Sequence, residues 1–337
     1  MKLFNKLFFI AFLCLKITSV LATNIFTDSQ EEKFVETYSV KYNIPKDYMK
    51  MVLKQAIYQP HSDQLKPLIP INIAALSSQK SWEHYRGQFI YPAMINKGAK
   101  FMCAHQDALH KAKSDYGVPP EVILGIIGVE TAYGDNVGHD KVLDVLATIT
   151  FNSHRRIDFF QEQLAKYILI CYKNAWDPMT IRGSIDGAFG MAQFMPSSYI
   201  DYAVSYTNGT PNLMIADDAI VSIANYIKQH GWKKDEPVYL DVKNTAWACQ
   251  KLSCNNRALT YHLSTWKQNG ILVKDSGINP SSMADLVSFS NLSNNPAWLV
   301  LNNFFAIFAY NHSNRYALTT YQLGVEVVAR ANQSGCK

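Results

Sequence analysis

The segment from Val118 to Gly134 constrains the fold of this chain more than any other. It begins with Pro119 and Pro120, which suit the first positions of a helix because no intrahelical partner is needed there for a backbone N–H. Every residue from Val122 to Val129 is apolar or glycine. The sequence therefore predicts a helix that is buried on nearly all sides.

Three glycines give this helix further features. Gly125 and Gly128 lie three residues apart and leave one face without side chains. This spacing predicts that the backbone of another element packs closely against that face. Gly134 follows the apolar run, and we expect it to end the helix because glycine readily adopts the left-handed conformation of a helix C-terminus.

One carboxyl group, that of Glu130, lies at the far end of the apolar run. Burial without a cationic partner disfavours the charged form of a carboxyl group, so we expect a raised pKa. A carboxylic acid that keeps its proton near neutral pH can act as a general acid. The alternative is a glutamate at a helix end that points into solvent, and this segment alone leaves both interpretations open.

The amino terminus has the pattern of an export signal. Lys2 and Lys6 precede an unbroken apolar run, Leu7 to Leu15, and small residues lead up to Ala22. The run is too short to cross a membrane as a helix, which takes about 20 residues. We therefore expect residues 1–22 to be a signal peptide that is cleaved near Ala22, and the mature chain to act outside the cytoplasm without a membrane span.

Charge argues against a nucleic-acid partner. Three of the 32 basic residues lie in the signal, so 29 basic residues remain against 27 acidic residues. A nearly neutral mature chain without a run of lysine and arginine lacks the basic surface that binds phosphate backbones.

Cysteine and histidine usage indicates no metal centre and no cofactor. The mature chain keeps five cysteines, an odd number that cannot pair fully within one chain. Cys249 and Cys254 are close in sequence and are the favoured disulfide pair if the compartment is oxidising. No cysteine or histidine pattern has the spacing of zinc ligands. The five cysteines are Cys103, Cys171, Cys249, Cys254 and Cys336.

The pattern of apolar residues predicts a mainly α (α+β) protein. Short alternating or β-rich runs appear only after residue 236, at 238–242, 284–289, 298–301 and 304–310, with one helix at 261–269 among them. One helix is predicted to open at Ser29 and a second at Pro45, and the other helices are predicted at 82–89, 93–116, 142–151, 155–172, 185–198, 217–230 and 316–331. We predict a helical flanking domain at 23–96, completed by 312–337, a catalytic core at 97–235, and a small antiparallel β insertion at 236–311.

A second glycine-rich stretch runs from Gly183 to Tyr199. Small residues at positions 187, 188, 190 and 192 predict a surface with little side-chain relief. An extended polymer can lie against such a surface, with hydrogen bonds from Ser184 and Gln193. Tight packing between helices is the alternative reading of the same small residues.

Several blocks together resemble the lytic murein transglycosylase B family. They are the 118–131 segment, Leu146-Ala-Thr148, Phe151-Asn152 with Arg155-Arg156, the stretch from Gly183-Ser184 to Gly190-x-x-Gln193-Phe-Met-Pro-Ser-Ser-Tyr199, and Tyr310-Asn-His-Ser313. The likeness extends from about Trp82 to Ala331 in the same order, whereas residues 23–81 match loosely.

The resemblance implies a periplasmic enzyme that acts on peptidoglycan glycan strands as a monomer. Its fold is expected to be a lysozyme-like helical core with a helical flanking domain and a small β domain. The family cleaves the β-1,4 bond between N-acetylmuramic acid and N-acetylglucosamine without adding water. The muramyl C6 hydroxyl attacks its own C1 and leaves a 1,6-anhydro ring, and one glutamate serves first as acid and then as base.

Residue by residue, the resemblance assigns the acid and base role to Glu130 and the lining of the glycan groove to Ser184, Gln193 and Asn311. Arg155 and Arg156 match a basic pair suited to lactyl or peptide carboxylates. Structural ion pairs are the alternative for the arginines, and loop stabilisation is the alternative for Asn311. Two further residues that could stack on sugar faces are Tyr133 and Tyr310.

The chain departs from the family at a loop that often binds calcium. Here residues 205–212 read Ser-Tyr-Thr-Asn-Gly-Thr-Pro-Asn, without an acidic residue. Calcium prefers several carboxylate oxygens, so we predict no metal.

Two other functions stay open. A hydrolytic muramidase would need a second carboxylate, for which the candidates are Asp135, Asp140, Asp144, Asp158 and Asp186. A peptidoglycan-binding protein without activity would keep the fold without the chemistry.

Overall fold

The structure, a computed structural model, describes residues 25–63, 81–152, 156–243, 248–273, 277–289 and 297–336. The predicted signal peptide and Arg155 lie outside these residues. The helices are α1 Asp28–Tyr42, α2 Lys46–Leu53, α3 Pro60–Asp63, α4 Trp82–Gly87, α5 Pro92–Ala104, α6 Gln106–Tyr116, α7 Pro120–Thr131, α8 Val142–Asn152, α9 Ile157–Asn174, α10 Pro196–Tyr202, α11 Ala216–Gln229, α12 Ala248–Lys251, α13 Leu263–Gln268, α14 Asn302–Asn311 and α15 Asn314–Gln333.

The strands form two sheets. The five-stranded antiparallel sheet has the order β4-β6-β7-β3-β5, and β1 pairs with β2 in a short antiparallel ladder. The strands are β1 Asp140–Lys141, β2 Arg182–Gly183, β3 Tyr239–Lys243, β4 Tyr261–His262, β5 Leu272–Val273, β6 Met283–Ser288 and β7 Ala297–Val300. The mainly helical fold with a small sheet confirms the predicted class, and the larger sheet lies inside the 236–311 segment predicted as an insertion.

Helix α7 is the buried centre of the core, as predicted. Residues Val122 to Gly128 are all buried, and each fully buried Val, Leu or Ile side chain contributes about 1.5–3 kcal/mol to folding. The end of the helix differs from the prediction. Ala132 and Tyr133 adopt left-handed backbone conformations (φ 49° and 59°), so the helix ends before Gly134 is reached.

Helix α15 is the backbone that packs against the glycine face of α7. A Cβ atom placed on Gly125 would lie 2.0 Å from the carbonyl oxygen of Thr320, and one on Gly324 would lie 1.6 Å from that of Glu121. Glu121, the earlier residue of α7, faces the later residue Gly324 of α15, and Gly125 faces Thr320. The two helices are therefore antiparallel. The same register brings Tyr316, in the first turn of α15, opposite Glu130.

Two predicted elements are wrong. The 304–310 run is part of helix α14, because its buried residues Phe304, Ile307 and Phe308 follow the helical spacing of three and four. The predicted helix at 185–198 is a series of turns and isolated bridges before α10 begins at Pro196. Positive φ angles at Gly187, Gly190 and Gln193 exclude a right-handed helix there.

The predicted helix at 93–116 is interrupted. It divides at His105, whose φ of −126° separates α5 from α6 and whose Nδ1 lies 2.7 Å from Asp217 Oδ1 on α11. No helix in the described part of the chain is both long and apolar enough to cross a membrane.

Two disulfides join four of the five cysteines that the structure describes. Cys249–Cys254 confirms the predicted pair, and Cys103–Cys336 links α5 to the end of the chain. Cys171 is buried and unpaired.

Candidate active site

Glu130 is the penultimate residue of α7 and follows the fully buried run that ends at Gly128. The residue is partly exposed, so a ligand can approach it from the surface. Burial raises the pKa of Glu130 to about 7, and a hydrogen bond from Tyr316 opposes that rise. The carboxyl group can therefore both give and take a proton near neutral pH.

Tyr316 is the direct partner of Glu130. Its Oη donates a hydrogen bond to Glu130 Oε1 over 2.6 Å, and its side chain is buried at the start of α15. Ser313 caps this helix by accepting the backbone N–H of Tyr316. Sequence analysis missed Tyr316, since only the antiparallel register of α7 and α15 brings it to the acid.

Tyr310 connects this pair to the glycine-rich stretch. Its ring is stacked on that of Tyr316 with centroids 6.3 Å apart, and its Oη donates to the carbonyl oxygen of Ala192 over 2.5 Å. Glu130, Tyr316 and Tyr310 thus form a continuous row that ends beside Gln193. The hydroxyl group of Tyr310 is used within the protein, which leaves at most the edge of its ring for a sugar.

Ser184 and Gln193 hold the turns of the glycine-rich stretch. Ser184 Oγ accepts the backbone N–H groups of Asp186 (3.3 Å) and Ala188 (3.1 Å). Gln193 Nε2 donates to the carbonyl oxygens of Val137 (3.0 Å) and Gly190 (2.9 Å). The hydroxyl proton of Ser184 and the carboxamide oxygen of Gln193 are the atoms of these side chains suited to a ligand.

Thr131 closes the end of α7 next to this stretch. Its Oγ1 lies 3.2 Å from the carbonyl oxygen of Ile127 and 3.4 Å from that of Met191, and it accepts the N–H of Gly134 over 3.1 Å. The residue after the acid therefore lies against the glycine-rich stretch while its hydroxyl group satisfies the end of its own helix. Its sequence neighbourhood carried no signal for this role.

Asn311 and Tyr133, both predicted to contact the glycan, differ in their exposure to solvent. Asn311 is exposed as the last residue of α14, directly after Tyr310. Stacking of Tyr133 on a sugar does not fit the structure, because this side chain is 6% exposed and its hydroxyl group packs between Gly98 and Gly128. The left-handed backbone at Tyr133 turns the ring into the core.

Arg156 is the residue before α9 and contacts a ring of that helix. Its exposed guanidinium lies 3.8 Å from the ring centroid of Phe159 at the start of α9. This point follows the C-terminal end of α8, whereas the β1–β2 ladder beside Ser184 adjoins its N-terminal end. The binding of lactyl or peptide carboxylates by Arg156 stays a prediction, and its exposed guanidinium is open to such a group.

The loop that follows α10 does not fit a calcium ion. The one carboxylate that reaches into it, Asp218, accepts the backbone N–H groups of Tyr206 and Asn212, each over 2.7 Å. Ser205 Oγ also donates to Asp218, over 3.4 Å. Among the described residues, no group of three His, Cys, Asp or Glu side chains is close enough to hold a metal ion. The carboxylate oxygens of Asp218 therefore accept hydrogen bonds from the protein where a calcium ion would need them as ligands.

Comparison with known proteins identifies relatives over most of the chain. Residues 27–325 match the family described as Transglycosylase SLT domain. The chain is 35% identical over 304 residues to membrane-bound lytic murein transglycosylase B of Escherichia coli K12, which covers 88% of this chain and 82% of that protein.

Two solved structures have similar folds. The Escherichia coli lytic transglycosylase SLT35 in complex with calcium has a TM-score of 0.79 and 33% identity over 90% of this chain and 94% of its own. The soluble lytic transglycosylase SltB1 of Pseudomonas aeruginosa has a TM-score of 0.81 and 31% identity, with 90% of this chain and 99% of its own covered.

Proposed function

This chain belongs to the lytic murein transglycosylase B family, and we propose that it cleaves the β-1,4 bond between N-acetylmuramic acid and N-acetylglucosamine in peptidoglycan with formation of a 1,6-anhydromuramyl end. One observation carries the mechanism. Burial raises the pKa of the Glu130 carboxyl group to about 7, and this group accepts a hydrogen bond from Tyr316.

In the first step Glu130 acts as a general acid. The protonated carboxyl group gives its proton to the oxygen that links muramyl C1 to the next sugar. The C1–O bond breaks, the N-acetylglucosamine product leaves with a hydroxyl group, and positive charge develops at C1. The apolar surroundings that raise the pKa keep the proton on Glu130 until the glycosidic oxygen accepts it.

In the second step the same group acts as a base. The carboxylate of Glu130, stabilised by the hydrogen bond from Tyr316, takes the proton of the muramyl C6 hydroxyl group. The C6 oxygen bonds to C1 and closes the 1,6-anhydro ring. Glu130 is again protonated, no water is consumed, and a pKa close to the working pH suits both transfers.

The glycan strand is proposed to lie along the glycine-rich stretch from Gly183 to Pro196. Ser184, Gln193 and Asn311 would supply hydrogen bonds along it, and the short side chains let the sugar rings approach the backbone. The predicted division into a flanking domain, a core at 97–235 and an insertion at 236–311 places this stretch within the core.

We also propose that the protein is exported to the periplasm after cleavage near Ala22 and acts as a monomer without a nucleic-acid partner. The disulfides Cys103–Cys336 and Cys249–Cys254 support an oxidising compartment, since such bonds are rare in the cytosol.

The decisive experiment is digestion of purified cell-wall sacculi followed by mass spectrometry of the products. The wild-type protein is expected to release 1,6-anhydromuropeptides. Glu130→Gln keeps the size of the side chain but cannot transfer a proton, so release should fall at least a hundredfold while sacculus binding persists. Glu121→Gln, at the other end of the same helix, is the matched control and should keep its activity.

Products with reducing ends would indicate a hydrolase. A hydrolase needs a second carboxylate about 5–9.5 Å from the acid and would leave reducing ends. Of the candidates, Asp135 forms an ion pair with Lys97, and Asp144 is buried, where it accepts the N–H of Ile57 over 2.9 Å. Reducing ends alone would overturn the lyase mechanism, and equal lysis by Glu130→Gln would overturn the role of Glu130.

A further inference from the structure

Tyr226, on α11, extends the row formed by Glu130, Tyr316 and Tyr310. Its ring is T-shaped against that of Tyr310, with centroids 4.8 Å apart. Its Oη donates a hydrogen bond over 2.9 Å to the carbonyl oxygen of Ala309, the residue before Tyr310. A single side chain thus contacts both the ring of Tyr310 and the backbone that carries it.

The hydrogen bond satisfies an unpaired group at the end of α14. The last four carbonyl groups of a helix have no intrahelical partner, and that of Ala309 is one of them because α14 ends at Asn311. After α14 the chain turns at His312, in a left-handed conformation, and enters α15. Tyr310 and Tyr316 lie on either side of this corner, so a shift in the last turn of α14 is passed on to Tyr316.

Burial excludes a direct role for Tyr226 in binding or proton transfer. The residue is 8% exposed, and its hydroxyl proton is used within the protein. The side chain can therefore neither contact a glycan strand nor exchange a proton with one. Any effect of Tyr226 on the reaction must act through the residues that it holds.

The phenols around the acid do not titrate together with it. Burial raises the pKa of each, so these groups stay protonated through the pH range in which Glu130 titrates: Tyr85, Tyr226, Tyr310 and Tyr316. Tyr202 and His230 also contact the ring of Tyr226, with centroids 4.8 Å and 3.9 Å away. The pKa of Glu130 is set by burial and by Tyr316, so we expect no direct effect of His230 on the acid.

We propose that Tyr226 is a positioning residue, which fixes the last turn of α14 and thereby directs the hydroxyl group of Tyr316 at Glu130. This inference rests on the proposed function. The hydrogen bond from Tyr316 favours the carboxylate form of Glu130. A misdirected Tyr316 therefore raises the pKa of the acid and leaves its carboxylate less well oriented for the second step.

Tyr226→Phe keeps the ring and removes the hydroxyl group, so it tests the hydrogen bond to Ala309. On soluble glycan strands kcat should fall about 5- to 50-fold while KM stays nearly unchanged, because Tyr226 does not contact the strand. The alkaline limb of kcat/KM should move up by about 0.3–1 pH unit, less than in Tyr316→Phe, since the hydrogen bond to Glu130 is weakened and not removed. Tyr226→Leu also removes the ring contact and should show larger effects.

A double substitution separates positioning from a general loss of stability. In a Tyr316→Phe background no hydrogen bond remains to be directed, so Tyr226→Phe should not move the limb further. Two control variants should keep the wild-type limb. Tyr167→Phe removes another buried phenol that donates to a backbone carbonyl, over 2.7 Å, and His230→Gln removes the stacked imidazole. An unmoved limb in Tyr226→Phe, an additive shift in the double variant or a shift in His230→Gln would overturn the proposal.

NMR titration of the Glu130 carboxyl carbon, assigned by its absence in Glu130→Gln, repeats the test without turnover. The pKa of Glu130 should be higher in Tyr226→Phe than in the wild type, by the same amount as the limb moves. A wild type that forms no anhydro products would overturn the proposed function and leave this difference in place. An unmoved pKa in a wild type that does form them would overturn the positioning role alone.

Discussion

Replacing Tyr316 by phenylalanine tests how the protein sets the pKa of its catalytic acid. The substitution keeps the buried ring and removes the hydroxyl group that donates to Glu130 Oε1 over 2.6 Å. A hydrogen bond stabilises the carboxylate more than the neutral acid. Its loss must therefore raise the pKa of Glu130 further above the present value of about 7.

The size of the shift follows from the energy of the bond. A hydrogen bond to a charged group contributes about 1.5–3 kcal/mol, and one pKa unit corresponds to about 1.4 kcal/mol. The pKa of Glu130 in Tyr316→Phe should then lie about one to two units higher. Because the first step needs the protonated acid, the activity of the wild type should decline as pH rises through about 7, and the variant should retain activity to higher pH.

The measurement is kcat/KM for soluble glycan strands between pH 4.5 and pH 10, where the alkaline limb reports the acid in the free enzyme. The maximal rate of Tyr316→Phe should also fall, because the carboxylate loses its orientation for the second step. Tyr167→Phe is the matched control, since Tyr167 is fully buried and donates to the carbonyl oxygen of Pro178 over 2.7 Å. It should lose stability but keep the wild-type limb. An unmoved limb in Tyr316→Phe, or one that moves to lower pH, would refute the reasoning.

Three further predictions concern the framework of the site. Gly125→Ala places a methyl group 2.0 Å from the carbonyl oxygen of Thr320 and should separate α7 from α15, with a loss of about 1–3 kcal/mol or more in chemical denaturation and a lower kcat; unchanged stability would contradict the packing. Cys103→Ser opens the loop closed with Cys336 and should cost about 2–5 kcal/mol, measured as a lower Tm than that of a correctly oxidised wild type. The Tm of the wild type should not change when millimolar calcium or a chelator is added. Asp218→Asn should lower the Tm, because it weakens the hydrogen bonds that hold the loop. A rise of the wild-type Tm with calcium would show that the loop binds the ion.

Local sequence identified the parts of the site that depend on a single segment. The unbroken apolar run predicted both the burial of α7 and the raised pKa of Glu130, since a helix without a polar face cannot lie at the surface. The separation of Gly125 from Gly128 predicted a backbone contact but not its partner. The 185–198 segment was mistaken for a helix because its left-handed residues, among them Gln193, have no reliable signature outside glycine.

Long-range contacts decided what local sequence could not. Tyr316 lies 186 positions after Glu130, and its role follows only from the antiparallel register that close backbone packing imposes on α7 and α15. Tyr133 lies three residues after the acid, which suggested a contact with the sugar. Its left-handed backbone conformation instead directs its ring into the core.

The sequence by itself determined the acid, its apolar helix and the family resemblance, because these depend on residue types in consecutive positions. Only the tertiary structure decided which tyrosine donates a hydrogen bond to the acid. Side chains far apart in the chain meet where helices and sheet pack, and the direction of each is set by the backbone and neighbours of the folded state.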